Sequence, residues 1–404
     1  MYFSLSWRNL WRNKKRTLII TASVFFAVIF SSLMRSIQIG TWEQIVHSSA
    51  KIFTGYAQIQ GNGFWDNRSL DKSFLINPEF EEKIQKTVHV TSITPRLESF
   101  ALLSKDTNTK IAQIIGIDPQ SENNMNYLQS RIIKGEFLNE TSKGILLGNG
   151  LSERLKTDVG DSLVLYGQGY RGQTAAALLP VLGIVELPLS KLDNMTAYLS
   201  LSNAQYIYGI DERITSLSIM IDNAKNLPDA LKTIESFLPN DAVLMSWNEM
   251  LPELEQTVMT KQVSGMIMSG ILYIVIGFGI FGTVMMMTSE RQKEFAILVS
   301  VGMQKARLIW STTIETIMFS FLGVVIGMMG SLPIVLYMHN NPIRFTGEVA
   351  EMYENYGYEA EMHFSADENI FISQALIVLI IALISALHPM FFIKNLNPVE
   401  TIKK

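Results

Sequence analysis

The chain has 404 residues, of which 48% are hydrophobic and only 17% are charged, and its formal net charge at pH 7 is -4. That balance argues against a general nucleic-acid binder, which needs lysine and arginine clustered over its surface. The sequence contains no cysteine, which excludes disulfides, thiolate metal sites and cysteine nucleophiles.

Four long runs are predominantly apolar: 18–37, 263–288, 308–338 and 370–393. About 20 apolar residues of helix cross a bilayer, and soluble helices of such length normally keep a polar stripe. The sequence therefore predicts four transmembrane spans. A cleaved signal peptide is the alternative for the first run, although no convincing small-x-small cleavage site precedes Arg35.

The basic residues predict the orientation of these spans. Segments 1–17, 289–307 and 394–404 are basic, whereas segment 339–369 has one arginine against seven acids. By the positive-inside rule, the first three are cytoplasmic, and segments 38–262 and 339–369 lie outside. We therefore expect both termini in the cytoplasm.

The first 17 residues favour an amphipathic helix in the inner membrane interface. Trp7 and Trp11 suit the headgroup depth, and the neighbouring bases suit anionic lipid. A basic flank without such a helix is the alternative.

Segment 38–262 is long enough to form a core of its own and is predicted to be a mixed α/β domain. β-rich runs recur at 56–60, 110–115, 162–166, 182–185, 216–221 and 242–245, with helical patterns between them. Asp158 and Asp161 flank Val159-Gly160, which indicates a turn before a strand rather than an acid–base pair.

A glycine-rich tip lies between two of the β-like runs, at residues 167–174. Gly169, Tyr170 and Arg171 are our candidates for a contact with a substrate or a carrier. An ordinary mobile hairpin is the alternative.

The chain lacks the motifs of an enzyme. It has no G-x-x-x-x-G-K-[ST] phosphate loop and no G-x-S-x-G elbow, and its five histidines show no metal-ligand spacing. We therefore expect no catalytic residue, no metal and no cofactor in this chain.

The segment 289–307 combines charge with an apolar pattern. Glu290, Arg291, Lys293 and Glu294 precede a helical face of Phe295, Leu298 and Val301, and Gly302 is the predicted stop. Such a helix would lie along the inner membrane surface with its charged end offered to a cytoplasmic partner. An interfacial helix without a partner is the alternative.

The third span contains one acid, Glu315, about two turns from its start. It would either bond a neighbouring helix or reach the cytoplasmic interface. Gly323 and Gly327 permit a close helix approach.

Four motifs in order resemble those of the FtsX/MacB-type ABC transporter permeases, and by size most of all the lipoprotein-releasing permeases. They are Trp7-Arg8-Asn9-Leu10 to Thr17, Glu290-Arg291-x-Lys293-Glu294 with Gly302, Glu315 with Gly323 and Gly327, and His388-Pro389 with Asn397-Pro398-Val399-Glu400. The resemblance implies a helical four-span bundle with a large extracytoplasmic α/β domain inserted between spans 1 and 2, in the bacterial inner membrane.

The resemblance also implies partners and a mechanism. Two separate ABC ATPase subunits would bind ATP and magnesium and dock on the coupling helix, with Glu290, Arg291, Lys293 and Glu294 in the contact and Phe295 and Leu298 as anchors. A second permease copy or paralogue would complete the complex, and a periplasmic carrier or lipoprotein would meet the outer domain. Mechanotransmission would then move a lipoprotein or another amphiphile. The alternatives are a mechanotransducer that activates an extracytoplasmic hydrolase and a membrane sensor with no ATPase.

Overall fold

The structure is a computed structural model that describes residues 14–355, 360–398 and 401. The predicted interfacial helix with Trp7 and Trp11, and the end of the tail, lie outside the described residues. Two compact units are present. A helical unit comprises the described residues up to Trp42, Val258–Ile343 and those from Glu361 onward, and an outer unit comprises Glu43–Thr257 with Arg344–Ala360.

The described helices are named here in chain order. They are α1 Lys14–Ser49, α2 Phe64–Asn67, α3 Pro78–Gln85, α4 Pro119–Asn126, α5 Asn149–Leu155, α6 Ser190–Asp193, α7 Leu201–Tyr208, α8 Leu227–Glu235, α9 Trp247–Met250, α10 Pro252–Glu290, α11 Gln292–Ser300, α12 Lys305–Asn340, α13 Glu348–Asn355, α14 Glu368–Ser385 and α15 Leu387–Lys394.

The strands are named in the same way. They are β1 Ala57–Gly61, β2 Phe74–Leu75, β3 Val90–Lys105, β4 Asn108–Ile117, β5 Ile132–Gly135, β6 Ile145–Gly148, β7 Ser162–Gln168, β8 Thr174–Val185, β9 Thr196–Ser200, β10 Arg213–Ile214, β11 Ser216–Ile221, β12 Ala242–Ser246, β13 Ile343–Arg344 and β14 Glu361–Met362.

Four stretches of helix in the described residues are long and apolar enough to cross a membrane: Thr17–Ile52, Pro252–Glu290, Lys305–Asn340 and Glu368–Lys394. Each contains one of the predicted spans. The first two helices are much longer than their spans, because a helix keeps its backbone hydrogen bonds where its sequence turns polar, beyond the apolar run. Prediction of spans from hydropathy does not detect such extensions.

The four long helices of the helical unit pack through small residues and β-branched side chains. A buried cluster joins Val24 and Val28 of α1 to Val284 of α10, Val324 of α12 and Val378 of α14. The predicted close approach at Gly323 and Gly327 is confirmed. A Cβ atom added to Gly323 would lie 2.7 Å from the Val24 Cβ, and one on Gly327 would lie 2.8 Å from the Val28 Cβ.

The outer unit is built on one ten-stranded sheet with the order β12-β1-β11-β3-β4-β9-β6-β8-β5, and β7 pairs with β3 and β8. β4–β9 and β6–β8 are parallel pairs, whereas the other pairs in this sheet are antiparallel. Its core buries side chains of strands and helices together, including Leu97, Ile114, Leu151 and Ala204. The mixed α/β prediction for this segment is therefore confirmed.

A buried ion pair attaches α4 to β3 inside this unit. Nε and Nη2 of Arg96 donate to the two carboxylate oxygens of Glu122 at 2.9 and 2.6 Å, and Asn126 also donates to Glu122 at 2.6 Å. Burial by itself lowers the pKa of Arg96, but the Glu122 carboxylate outweighs it and raises that pKa. The pair is internal to the fold, so it fixes the helix rather than offering a reactive group.

Asp158 and Asp161 form the predicted turn. The N–H of Asp161 donates to the Asp158 carbonyl oxygen at 3.1 Å, and Gly160 between them has a φ of +92°. Lys134 donates to Asp158 at 2.9 Å, and Lys105 donates to Asp161. These lysine hydrogen bonds lower the pKa of both carboxyl groups, so neither carboxyl group is suited to act as a general acid.

Candidate functional site

The candidate site is the segment that links α10 to α12, which we call the coupling segment (residues 289–307). α10 ends at Glu290, Arg291 leaves helical geometry with φ -96° and ψ 4°, and α11 follows from Gln292 to Ser300. The predicted glycine stop is confirmed, since Gly302 has a φ of +103°. The N–H of Met303 donates to the Leu298 carbonyl at 3.0 Å, and that of Gly302 donates to the Val299 carbonyl at 3.1 Å. This pair of bonds is the Schellman motif, which favours glycine at its left-handed position.

One side of α11 is buried in an apolar cluster. Phe295 and Ala296 pack there with Leu308, Ile393 and Leu396, so the start of α12 and the residues at the end of α15 meet around Phe295. Phe295 is 2% exposed, in keeping with its predicted role as an anchor. Leu298 and Val301, the other members of the predicted face, are 39% and 83% exposed and do not pack on this cluster, so their predicted contact with lipid stays a prediction. Val299, one helical turn after Phe295, packs on the cluster instead.

Arg291 lies on the inner side of the coupling segment. Its Nη1 donates to Oε2 of Glu315 in α12 at 2.7 Å, and the two side chains are 8% and 5% exposed. Its Nε donates to Glu294 at 3.2 Å, and its guanidinium carbon lies 5.1 Å from the centre of the Phe295 ring. Arg291 is therefore not on the charged surface where we had predicted it. Of the two roles considered for Glu315, this geometry favours a bond to a neighbouring segment.

The charged surface consists of the neighbours of Arg291. Glu290, Lys293 and Glu294 are exposed, and Glu294 also holds Arg291. Glu290 and Lys293 line a cleft of about 700 Å³, whose other wall is formed by His388 and Phe391 of α15 and by Asn395. The coupling segment therefore has an exposed, charged surface, which we call the rim, and a buried side that packs in the helical unit.

Lys305 is a residue of the site that the sequence analysis did not identify. Its ammonium group donates to the carbonyl oxygens of Lys394 and Leu396, at 3.1 and 2.7 Å. Carbonyl groups at a helix end lack partners within the helix and attract cations, so Lys305 ties the start of α12 to the end of α15. In the sequence, a lysine beside a span is explained by the positive-inside rule, so it gave no separate signal for this contact.

The glycine-rich tip is the turn between β7 and β8. Tyr170 is half-buried and packs against the core of the outer unit, and a Cβ atom on Gly169 would lie 2.8 Å from the Tyr208 carbonyl oxygen. Arg171 is exposed with a φ of +49°, and its N–H donates to Asp71 at 2.8 Å. The tip is thus held against its own domain, and of the three candidate residues Arg171 is the exposed one.

Two family models match this chain. The MacB-like periplasmic core domain matches residues 17–237, and the FtsX-like permease C-terminal domain matches residues 266–398. The two matches cover the first span with most of the outer unit, and then the remaining spans with the coupling segment.

Curated relatives share less than a quarter of their residues with this chain. The lipoprotein-releasing system transmembrane protein LolC of Neisseria meningitidis is 24% identical over 66% of this chain and 65% of its own length. The LolE protein of Haemophilus influenzae is 23% identical over 64% of each chain. The macrolide export ATP-binding/permease protein MacB of Acinetobacter baylyi is 18% identical over 79% of this chain, and this chain spans about half of that protein, 49%.

Among solved structures, the periplasmic region of MacB from Actinobacillus actinomycetemcomitans matches with a TM-score of 0.36 and 18% identity. The match covers 52% of this chain and 94% of that one. At that TM-score the family assignment rests on the family models alone.

Proposed function

The chain belongs to the FtsX/MacB-type permease family, and on that premise we propose that it is the membrane subunit of an ABC transporter that acts by mechanotransmission. Two separate ATPase subunits bind ATP and magnesium and dock on the coupling segment in the cytoplasm. A second copy or a paralogue of this chain completes the complex. Both termini are cytoplasmic, and the outer unit lies on the outer face of the bacterial inner membrane.

The geometry of the coupling segment is the observation that carries this proposal. Glu290 and Lys293 point outward, which suits a charged partner surface. Phe295 and Arg291 point inward and hold the same short helix to the spans. A displacement at the rim is therefore passed to the spans, whereas a loose loop would absorb it.

The substrate we propose is a lipoprotein or another amphiphile that is moved or extracted at the outer face. The relatives named above are a lipoprotein-releasing and a macrolide-export protein, which supports an amphiphilic cargo of one kind or another. Arg171, at the exposed tip of the β7–β8 turn, is the candidate contact for a carrier or a lipoprotein.

The docking part of the proposal is tested by purifying the tagged protein from its native membrane in mild detergent. We expect an ATPase with a phosphate loop to co-purify. We expect the double charge reversal Glu290→Lys with Lys293→Glu to remove this ATPase, because both side chains are exposed on the surface of the coupling segment. The readouts are the bound proteins and the ATP hydrolysed by the eluate.

Glu153→Lys is the matched control, since Glu153 is an exposed carboxylate of the outer unit. It should retain the ATPase. Absence of any ATPase from the wild-type eluate would contradict the proposal and favour a sensor that works without ATP. Loss of the ATPase in the control as well would show that charge reversal acts through folding rather than docking.

A further inference from the structure

We infer that the Arg291–Glu315 ion pair is the link through which a movement of the coupling segment reaches the interior of α12. Arg291 is thus a positioning residue rather than a contact with the ATPase. This inference deepens the proposed function and rests on it. Arg291 of the coupling segment and Glu315 of the third span would together transmit this movement.

The contacts of Arg291 connect two elements. Nε bonds Glu294 in the first turn of α11, while Nη1 bonds Glu315 in α12. The Phe295 ring covers the guanidinium group from the same helix. Arg291 and Glu315 are 7% and 4% exposed as whole residues, so neither is open to a docking protein.

Because of the position of Glu315 along α12, the ion pair holds this helix at a second point, away from its start. Glu315 lies seven residues after Leu308 in α12, and at 1.5 Å per residue this is about 10 Å along the axis. The start of α12 is held separately, through Leu308 in the Phe295 cluster. A helix held at one point swings about it, but a helix held at two separated points must follow the segment that holds it.

Stability alone is a weak explanation for this pair. Taking two charges out of water offsets most of their attraction, and an apolar pair of similar volume often stabilises a protein as well. A charge-assisted hydrogen bond differs from apolar contact in direction and distance, which it restricts to a narrow range. The pair therefore suits the transmission of a displacement.

The test separates transmission from stability. The absence of cysteine allows one cysteine at Tyr337, which is 69% exposed and lies in the last turn of α12. Its rate of labelling by a membrane-impermeant maleimide is measured in vesicles with the co-purified ATPase, without nucleotide and after trapping with ATP, magnesium and vanadate. We expect trapping to change the rate in the parent protein.

Three variants are compared in that background. Arg291→Met with Glu315→Met replaces the ion pair by apolar side chains, and should retain the ATPase but lose the change in labelling. Arg291→Lys keeps one charged donor for Glu315 and should retain the change. Arg291→Met alone, which removes the donor and leaves a carboxyl group that can neutralise itself by taking up a proton, should retain the ATPase and lose the change, and it decides the matter if the double variant does not fold.

The outcomes are distinguishable. A parent protein without an ATPase contradicts the proposed function itself. A parent that hydrolyses ATP with no change at Tyr337→Cys overturns the inference, because α12 then does not follow the coupling segment. The inference also fails if the folded Met–Met variant or the folded Arg291→Met variant keeps the change, or if a folded Met–Met variant loses the ATPase.

Discussion

Asp161 illustrates at the residue scale how an acidic pair stabilises a turn without performing chemistry. Lys105 and the side chain of Thr157 donate to its carboxylate, as does the N–H of Asp158 at 2.8 Å. All three bonds favour the charged form, and the bond from Lys105 contributes most to the lowered pKa. A group with a lowered pKa stabilises the folded state above its unfolded pKa, about 3.9 for aspartate, and this stabilisation is lost as the pH falls through the folded value.

Asp161→Asn is therefore expected to lower the unfolding temperature of the detergent-solubilised protein at pH 7. The difference from the wild type should shrink as the pH falls below about 4, because the unfolded carboxyl group then takes up a proton more readily than the folded one, whose pKa is lowered. Thermal scans at several pH values measure it. Asp241→Asn, at an exposed carboxylate elsewhere in the same unit, is the control. A difference that stays constant with pH would contradict this origin.

Charge along the sequence indicated where the coupling segment lies, but not which side chain faces inward. Four charged residues occur within 290–294, and their spacing is compatible with one exposed cluster. The helix break at Arg291 turns its side chain toward α12, and its partner Glu315 follows 24 residues later. The signal available beforehand was that an acid inside a span needs a partner, but this rule does not select among the nearby bases.

At the element scale, the contact between α1 and α12 leaves no room for a larger side chain at two glycines of α12. The added Cβ atoms on Gly323 and Gly327 would approach Val24 and Val28 of α1 well below ordinary contact distance. Membrane helices gain little from hydrophobic burial against each other, so close van der Waals packing through small residues has a large share in their association.

Gly327→Ala is expected to destabilise the helical unit by roughly 1–3 kcal/mol, because the added methyl group overpacks a contact that is already full. The matched control is Gly279→Ala in α10, where a Cβ atom meets nothing within 4 Å. It should be neutral or stabilising by up to about 1 kcal/mol, from helix propensity. Thermal unfolding in one detergent compares the two, and equal effects would contradict the packing account.

Periodicity and hydropathy predicted the four long helices and several of the strands. The β-rich runs at 56–60, 162–166 and 216–221 correspond to β1, β7 and β11, and each apolar run is a long helix. β3, which has 16 residues, was not predicted. Its burial follows no regular alternation along much of its length, since it pairs with three other strands at different positions. Such pairing is long-range information that a local pattern does not contain.

At the scale of the whole molecule, the family of the chain rests on two models that match its two halves, and its proposed work rests on the coupling segment. The four short motifs indicated this family because they occur in the same order as in the family and at matching places in the four-span topology. The structure adds which residues of the segment are exposed on its surface and which hold it to the spans. Substrate identity has no comparable residue signal, since the described outer unit offers several surfaces and no site defined by its chemistry.

The central claim is that ATP hydrolysed by a partner in the cytoplasm drives work on an amphiphile at the outer face. The most direct measurement reconstitutes the co-purified complex in proteoliposomes that carry a fluorescent triacylated peptide. Release of the peptide to a soluble acceptor is followed with ATP and magnesium. We predict release that requires ATP and stops with vanadate. Sustained ATP hydrolysis with no release of the acylated peptide would contradict the account and favour activation of an extracytoplasmic hydrolase.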